Sequence, residues 1–533
     1  MKQLFTLSLC LFCSLGVTAQ DVNFSEHIAP IIYDNCTRCH RVGEVAPIPF
    51  TNYQEVANFG TTIQYVTQIK YMPPWPPNRD YSHFIGERYL TDEEIQTISN
   101  WVSDGMPQGD PALEPDLPTY TTGSQIGTPD VVIEMEEAYT VAGNNQDDYR
   151  VFVLPTNFTE DKEIAAMEFR PGNSRAVHHV LFGYDLSGAA ATRDAQSPDV
   201  YGYESFGDFG INQAVYLSWT YVPGNLPLVF PEGLGQTLPA GADLLIQVHY
   251  APLPTEETDQ SSINVFFKGS DDQIEREVLQ SMTLPGDLPG GWGQFYIPPE
   301  TTRTFTAVGA DGLGNNTIST DISLISVLPH AHYLGRYYEV FAVTPANDTL
   351  RIIQIEDWDF NWQGAYTLER MLKIPAGSKL YTIANYDNTS SNPNNPSDPP
   401  VDVGWGDGTN DEMLVVFYYY VPYQEGDEDI VLGNLPVSVV DRPSPTGSRL
   451  YPPTPNPVND KLTLTFDLVR AELLSFDLFN QAGQRLAVLS AEQRWGSGTQ
   501  TTQFDLSRFA AGSYFVRMKG EGYGTTAKVV ITR

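Results

Sequence analysis

Histidine is rare in this chain, and its placement constrains the fold more than any other feature. Five of the eight histidines form a doublet, His178-His179, a single His249 and an alternate pair, His330 and His332. The pair ends an apolar run, 322–328, that is typical of a β-strand. Residues i and i+2 of a strand point to the same face, so both imidazoles of the pair can bind one metal ion. The pattern predicts strands that end in metal-binding positions.

A sulfur ligand is predicted to complete the His330 pair. Met413 opens another apolar run, 414–420. A thioether beside two imidazoles suits copper, because soft sulfur favours Cu(I) and imidazole binds both copper states. The doublet is a weaker chelator, since adjacent strand residues point to opposite faces. His178 and His179 would share an ion with His249 only if a bulge or a strand end turned one ring.

Length and composition predict a mainly β, multidomain protein. A chain of 533 residues is long enough for three or four domains. Glycine (43), proline (40) and tyrosine (29) are abundant, and long amphipathic patterns are rare. The 66 acidic residues outnumber the 30 basic ones, for a net charge of −36, which argues against nucleic acid and anionic membrane surfaces as partners.

The first 19 residues are predicted to be a signal peptide. Lys2 supplies the charged end, residues 4–17 the apolar stretch, and Val17-Thr18-Ala19 the small-residue cleavage site. The apolar stretch is too short to span a membrane, and no later one is long enough, so no transmembrane segment is expected. Cys10 and Cys13 would leave with this leader.

The two remaining cysteines stand in Cys36-Thr37-Arg38-Cys39-His40. Cys-x-x-Cys-His is a c-type haem attachment motif, in which two thiols bond a covalent haem c and the histidine becomes an axial iron ligand. A redox dithiol and half of a zinc site are the alternatives. The chain has no second cysteine pair to complete a zinc site, and the adjacent His40 favours haem. No disulfide is then expected in the mature protein.

Residues 20–112 are predicted to form a small all-α haem domain. Ser25 is a candidate N-cap for its first helix. Thr91 and Glu94 form a capping box that opens a helix ending at Gly105. Met72, in the proline-rich run 71–77, is the preferred sixth haem ligand, and Met106 is its competitor.

Short strands separated by turn residues follow a linker at 113–127. They predict one β-sandwich over 128–275, carrying His178, His179 and His249, and a second over 276–425, carrying His330, His332 and Met413. A second linker, 426–450, leads to a C-terminal Ig-like β-sandwich over 451–533.

The two sandwiches resemble the copper type II, ascorbate-dependent monooxygenases, a family that includes peptidylglycine and dopamine β-monooxygenases. The segments that carry the resemblance are Val177–Leu181, Gln247–Tyr250, His330–Gly335 and Gly408–Met413. It implies two copper ions in jelly-roll-like domains that face each other across a wet cleft. The first would be held by His178, His179 and His249 and store an electron. The second, held by His330, His332 and Met413, would be catalytic, splitting O2 and inserting one oxygen into an aliphatic C–H bond.

Two departures from that family matter. The peptide-amidating branch has an Arg two residues before the His-x-His pair, and an Asn and a Tyr after the Met, where this chain has Leu328, Val415 and Phe417. An apolar pocket in place of a carboxylate clamp predicts a small neutral or apolar organic substrate. The family's sandwiches are also rich in disulfides, whereas these must be stabilised by packing alone.

Both ends of the chain carry further resemblances. The haem motif, the 41–47 stretch and Met72-Pro73-Pro74-Trp75 resemble cytochrome c-like domains that precede bacterial copper monooxygenases. Residues 451–533 resemble the type A sorting domain of the type IX secretion system. That resemblance implies passage through the periplasm, where haem is attached, and release or display at the cell surface with the type IX machinery as partner.

These observations predict a secreted copper monooxygenase. Its electrons would come from the fused haem, in place of or alongside an ascorbate-like donor or a redox protein. The alternative is a non-catalytic haem and copper protein that binds ligands or transfers electrons and keeps the monooxygenase fold.

Overall fold

The computed structural model describes residues 22–42, 44–118, 123–127, 129–197, 200–269, 272–310, 315–406, 408–432, 448–451, 453–480, 485–510, 512–520 and 523–532. The predicted leader, most of the second linker and parts of the first lie outside these residues. The chain divides into two compact units. The helical unit comprises 22–37, Pro49–Pro73 and Tyr89–Leu117, and the β unit comprises Arg38–Ile48, Pro74–Arg88 and the described residues from Pro118 onward.

The helical unit is built from short helices around aromatic residues. Its helices are a π-turn Phe24–Ile28, α1 Ala29–Asn35, α2 Tyr53–Asn58, α3 Gly60–Gln68, α4 Asp92–Ser103 and a 3-10 turn Pro111–Leu113. The predicted capping box is confirmed: the Glu94 N–H donates to Thr91 Oγ1 over 3.2 Å, and the Thr91 N–H donates to a Glu94 carboxylate oxygen over 2.7 Å. Ile98 and Trp101 of α4 are fully buried, as its apolar spacing predicts.

The predicted cap of the first helix is wrong by two residues. The side chain of Asn23, not Ser25, accepts the Glu26 N–H over 2.9 Å. Ser25 lies inside the first turn, where its hydroxyl donates to the Gln108 carbonyl over 3.0 Å. Serine and asparagine are similarly good caps, so the sequence alone did not separate them.

The first sandwich of the β unit has two five-stranded sheets. Their orders are β1-β11-β4-β8-β12 and β6-β3-β9-β5-β7, and β2 pairs with β10 in a separate ribbon. The strands, with helix α5 Ala189–Asp194, are β1 Val131–Glu134, β2 Tyr139–Val141, β3 Asp148–Pro155, β4 Lys162–Arg170, β5 Val177–Asp185, β6 Tyr203–Glu204, β7 Val215–Tyr221, β8 Leu234–Leu238, β9 Asp243–Tyr250, β10 Glu257–Asp259, β11 Ser262–Phe267 and β12 Arg276–Glu277.

The second sandwich has two four-stranded sheets, β13-β22-β16-β19 and β15-β20-β17-β18, and a β14-β21 ribbon. Its strands are β13 Leu279–Thr283, β14 Tyr296–Ile297, β15 Thr301–Val308, β16 Ile322–His330, β17 Gly335–Val343, β18 Thr349–Ile355, β19 Tyr366–Ile374, β20 Lys379–Asn388, β21 Val403–Gly404 and β22 Val415–Pro422. Short 3-10 turns lie at Pro285–Asp287, Trp292–Gln294, Phe360–Trp362 and Asp427–Asp429. Buried side chains of both sandwiches join in one apolar cluster, which includes Trp219 and Tyr338.

Residues 74–88 pack on the second sandwich. The Asn78 N–H donates to the Gln354 carbonyl over 2.7 Å, and the Ile85 N–H donates to the Thr367 carbonyl over 2.8 Å. Phe84 is 1% exposed and joins the shared apolar cluster. This segment, although it follows the haem motif closely in sequence, therefore belongs to the β unit.

The C-terminal residues form a sandwich with its own core. Its sheets are β23-β24-β27 and β26-β25-β28-β29. The strands are β23 Arg449–Leu450, β24 Lys461–Leu468, β25 Glu472–Asn480, β26 Arg485–Trp495, β27 Gly498–Asp505, β28 Gly512–Gly520 and β29 Tyr523–Ile531. Alternate residues of β24 are buried, as the Leu462–Phe466 alternation predicts.

The mainly β, multidomain class predicted from the sequence is confirmed. Among the described residues, no helix is both long and apolar enough to cross a membrane.

Candidate metal centre

Three histidine side chains of the first sandwich converge on one point. His178 and His179 lie on β5, and His249 lies on the neighbouring strand β9. The register between these strands shifts at His178: Val177 pairs with Tyr250, and His179 already pairs with His249. His178 is thus the extra residue of a β-bulge, which turns its ring to the side of its neighbour. The bulge that the doublet required is present.

The spacing of the three rings fits a metal ion. The Nδ1 atoms of His178 and His249 are 3.2 Å apart, those of His178 and His179 are 3.2 Å apart, and those of His179 and His249 are 3.3 Å apart. Bonds of about 2.0 Å from one ion at tetrahedral angles place ligand nitrogens about 3.3 Å apart. Three lone pairs facing one point are repulsive without a cation, so the donor set fits a bound metal ion.

Burial keeps these rings neutral. It lowers the pKa of His178 to about 4 and those of His179 and His249 well below the usual value, with the neighbouring imidazoles adding to the effect on the latter two. A neutral imidazole is the form that binds a metal ion, so the cluster is in its ligating state at neutral pH.

The predicted ligands of the second sandwich lie around a buried carboxylate. His330 ends β16, His332 follows it, and Met413 lies two residues before β22. The Glu412 carboxylate is fully buried and accepts the backbone N–H groups of His332, of Leu334 over 3.0 Å and of Met413 over 2.8 Å. Glu412 therefore fixes the His332 backbone beside that of Met413. Glu412 lies in the Gly408–Met413 segment, but the sequence alone indicates no role for it.

The imidazoles of this second set are also neutral. Burial, with a contribution from His332, lowers the pKa of His330 to about 3, and burial lowers that of His332 to about 4. Nδ1 of His332 lies 3.1 Å from the Asp411 carbonyl, so it carries the proton and leaves Nε2 as the ligating atom.

Two buried tyrosines join the backbones of His330 and Met413. The Tyr338 hydroxyl donates to the His330 carbonyl over 2.9 Å, and the Tyr386 hydroxyl donates to the Met413 carbonyl over 2.8 Å. The two hydroxyl oxygens are themselves 3.0 Å apart. Because both tyrosines are fully buried, these two hydrogen bonds hold the backbones of His330 and Met413 in fixed positions.

The two histidine sets are in contact. The ring centroids of His179 and His330 are 6.0 Å apart. Phe360 stacks on His178 at 5.2 Å and lies 6.0 Å from His332, so one aromatic ring touches both sets. The family resemblance implies a wet cleft between the two sets, and that remains an expectation; the rings named here lie between them.

Asp147 connects the two sandwiches at this point. One carboxylate oxygen accepts the His249 Nε2–H over 2.7 Å, and the other accepts the Thr409 hydroxyl. Thr409 lies in the loop that leads to Met413 and is 4% exposed. A carboxylate behind a metal-binding imidazole fixes its tautomer and its orientation. No sequence motif marks Asp147, since its two partners lie about 100 and 260 residues away.

Apolar residues flank His330 where a carboxylate clamp would otherwise lie. In the antiparallel register of β16 and β22, Leu328 pairs with Phe417 and His330 pairs with Val415. Paired residues and residues two apart share a face of a sheet, so all four side chains lie on one face. The three departures noted in the sequence therefore form a single apolar wall.

The haem motif is divided between the units. Cys36 follows α1 in the helical unit, whereas Cys39 and His40 lie in the β unit, and no disulfide joins the two cysteines. Nδ1 of His40 lies 2.8 Å from the Ile48 carbonyl, and burial lowers the pKa of this imidazole despite that bond. A neutral ring with Nδ1–H engaged presents Nε2 as a ligand, which fits an axial role.

The two candidate sixth ligands lie in the helical unit. Met72 follows α3, and its N–H donates to the Val66 carbonyl over 3.1 Å. The sulfur of Met106 packs against Gly60, where an added Cβ would lie 2.3 Å from it. Met72 remains the predicted ligand.

Comparisons with known proteins match two parts of the chain. Residues 291–430 match the family model of the copper type II ascorbate-dependent monooxygenase C-terminal domain. This part of the chain is therefore similar to the C-terminal domain of the copper type II monooxygenases. Residues 451–532 match the secretion system C-terminal sorting domain, which indicates export through the type IX system to the cell surface or beyond.

Curated relatives agree with the first match. The chain is 25% identical over 262 residues to DBH-like monooxygenase protein 1 of Gallus gallus, covering 46% of this chain and 39% of that one. It is 24% identical over 261 residues to putative DBH-like monooxygenase protein 2 of Homo sapiens, covering 47% and 48%. The chain thus spans less than half the length of these relatives.

A solved peptide-N(4)-(N-acetyl-β-D-glucosaminyl) asparagine amidase aligns with this chain at 10% identity. It covers 55% of this chain and 96% of that one with a TM-score of 0.21, which is too low to bear on fold or function.

Proposed function

We propose that this protein is a secreted copper monooxygenase that hydroxylates an aliphatic C–H bond of a small neutral or apolar substrate, using O2. The observation that carries the proposal is the convergence of three Nδ1 atoms within 3.2–3.3 Å, in ring contact with the His-x-His pair. The family match over 291–430 supports copper as the metal. The non-catalytic alternative is not favoured, because the relatives are named as monooxygenases.

The chain's own residues would divide the work between two sites. His178, His179 and His249 would hold one copper ion, and His330, His332 and Met413 would hold a second. When bound, the two ions supply the electrons and the O2 chemistry. The thioether favours Cu(I) at the second site, the state that reacts with O2.

Substrate binding is assigned to the wall of Leu328, Val415 and Phe417 beside His330. An apolar wall excludes water and packs against the hydrocarbon part of a substrate. It has no cation to pair with a substrate carboxylate. The ring contact between His179 and His330 leaves a short path for an electron between the sites.

A haem c bound through Cys36, Cys39 and His40, with Met72 as its other axial ligand, is proposed as an internal electron source. The tautomer of His40 supports this assignment. An ascorbate-like donor or a redox protein would reduce the haem or the copper ions directly.

Copper stoichiometry and O2 consumption test the proposal. The copper-loaded chain should bind two ions and consume O2 with ascorbate when a neutral organic substrate is present. His330→Ala should lose one ion and substrate-dependent turnover. His83→Ala, at an exposed histidine outside both sets, is the matched control and should lose neither. Two bound ions without turnover on any neutral substrate would favour the non-catalytic alternative.

Substrate class is tested by competition. Neutral or apolar substrates should give a higher kcat/KM than glycine-extended peptides, because the wall has no partner for a carboxylate. Preference for the peptides would contradict the assignment of Leu328, Val415 and Phe417.

The electron route is tested with Cys36→Ala. This variant should attach haem incompletely and turn over more slowly when a reduced redox protein is the donor. Unchanged turnover with that donor would exclude haem as the source.

A further inference from the structure

A partly open cavity lies within the β unit and borders the haem motif. Its walls include the apolar side chains of Ile85, Leu226 and Leu228. Its polar lining residues include Arg38, Asn225 and Thr367, together with Arg88 and Trp75 of the segment that packs on the second sandwich. The cavity therefore combines apolar walls with a polar corner.

The polar corner holds two buried donors without acceptors. Nε of Arg88 and Nε1 of Trp75 are both buried, and neither has a hydrogen-bond partner among the described residues. Arg88 donates only through Nη1, to the Gly224 carbonyl over 2.8 Å. Buried donors in folded proteins are nearly always satisfied, so two in one cavity indicate an acceptor that the chain does not provide.

Charge points to an anionic acceptor. Among the described residues, the Arg88 guanidinium forms no salt bridge, and its Cζ lies 5.8 Å from the centroid of the Trp75 ring. Burial lowers the pKa of Arg88. Holding a cation in an apolar cavity without a counter-ion costs free energy, and a carboxylate restores it by bonding the planar guanidinium.

The cavity is adjacent to the second haem thiol. Gly224 lies between them: a Cβ built on it would be 2.7 Å from Arg88 Nη1 and 3.6 Å from Cys39 Sγ. Its φ of +80° also favours glycine at this position. A ligand bonded to Cys39 is thus within reach of Arg88.

We infer that the Arg88–Trp75 cavity is a carboxylate-binding site. Two sources supply that chemistry: a propionate of a haem attached at Cys39, or a free organic acid. The haem source rests on the proposed function, whereas the carboxylate site itself does not. In the first case Arg88 and Trp75 are positioning residues for the haem.

The haem source is tested on the haem-loaded full chain, after a pyridine haemochrome spectrum establishes covalent haem. Removing a cation from the haem edge stabilises the oxidised iron, so Arg88→Met should lower the midpoint potential. Trp75→Phe, which removes a donor but no charge, should shift it in the same direction by less. Arg88→Lys should restore most of the potential. Arg79→Met, at a half-exposed arginine of the same segment paired with Glu87, should leave it unchanged.

The free-acid source is tested by calorimetric titration with benzoate. The haem-free Cys36→Ser/Cys39→Ser chain should bind benzoate, and adding Arg88→Met should abolish binding. Binding to the haem-free chain but not to the haem-loaded chain assigns the site to propionate, and binding to both assigns it to a free acid. If no covalent haem forms, the haem part of the proposed function fails and benzoate alone decides. Absence of both the potential shift and benzoate binding overturns the inference.

Discussion

A few polar side chains around the two histidine sets determine how those sets are held. One carboxylate oxygen of Asp147 accepts a hydrogen bond from His249 of the first sandwich, and the other accepts one from Thr409 of the second. The orientation of His249 and the position of the Thr409 loop therefore depend on one another. Glu412 and the Tyr338–Tyr386 pair act similarly on His332, His330 and Met413 through their backbones. These residues touch no predicted ligand atom of the second site, but they set its geometry.

Asp147→Asn should weaken copper binding at the first site by about 10- to 100-fold. The amide has a single acceptor oxygen, whereas His249 and Thr409 each need one. A competitive chelator titration of both copper equivalents measures this loss. Glu137→Gln removes an exposed acid from the same domain and should leave both affinities unchanged. Equal effects of the two substitutions would mean that Asp147 acts only through net charge.

Tyr386→Phe should loosen the second site by leaving the Met413 carbonyl unsatisfied. The free energy of unfolding should fall by about 1–3 kcal/mol, and Cu(I) affinity at this site should fall with it. Tyr418→Phe is a matched control, since the Tyr418 hydroxyl is equally buried and its partners are the hydroxyls of Thr283 and Thr382, 3.0 and 3.1 Å away, and not the backbone of a ligand. It should lower stability by a similar amount and leave Cu(I) affinity unchanged. The opposite pattern in chemical denaturation and Cu(I) titration would contradict the role assigned to Tyr386.

Strand register decides what surrounds the ligands. The bulge in β5 places both members of the doublet on one side, and the pairing of β16 with β22 places Leu328 and Phe417 beside His330. A shift of one residue in either pair would reverse which side chains face the site. Strands β9 and β16 are buried on both faces, so the register of their partners decides which side chains reach the site.

Leu328→Arg should convert this wall towards a carboxylate-binding surface. The ratio of kcat/KM for a carboxylate-bearing substrate to that for its neutral analogue should rise roughly 10- to 100-fold, the effect of one charged hydrogen bond. Leu328→Met keeps the wall apolar and should leave the ratio unchanged. Thermal melting of both variants establishes that they fold, and an unaltered ratio in folded Leu328→Arg would place substrate elsewhere.

The strands, and the positions of the histidines at or near their ends, could be predicted from the sequence because both depend on local periodicity. Strands predicted at 149–154, 243–249 and 322–328 are present within one or two residues of those bounds. The bulge at His178 could be stated from the sequence only as a requirement for His178 and His179 to share an ion with His249. Asp147, Phe360 and the tyrosine pair were missed, since each depends on contacts between residues far apart in the chain. Packing of 74–88 on the second sandwich was missed for the same reason.

At the scale of the whole molecule, the two sandwiches are joined by buried polar contacts as well as by a shared core. Arg276 of β12, at the edge of the first sandwich, makes two 2.8 Å hydrogen bonds to Asp427, in the turn after β22. Ser323 of β16 donates to the same carboxylate over 2.6 Å. Burial opposes ionisation of Asp427, but the bonds from Arg276 and Ser323 outweigh it and hold its pKa below the usual value.

This pair predicts a loss of stability in acid. Because the folded-state pKa of Asp427 is below its unfolded value, its contribution is complete above about pH 4 and is lost as pH falls through the folded pKa. Asp427→Asn should lower the free energy of unfolding by on the order of 3 kcal/mol at pH 7, and by less below pH 4. Denaturant titrations at several pH values measure both. Asp429→Asn, at an exposed acid in the same turn, should change neither.

The core of the C-terminal sandwich shares no residue with the core of the two copper-type sandwiches, among the residues that the structure describes. Proteolytic shedding of the sorting module after export would therefore strip no apolar cover from the histidine-bearing domains. The segment that matches the sorting domain and the histidine-bearing sandwiches therefore have separate apolar cores.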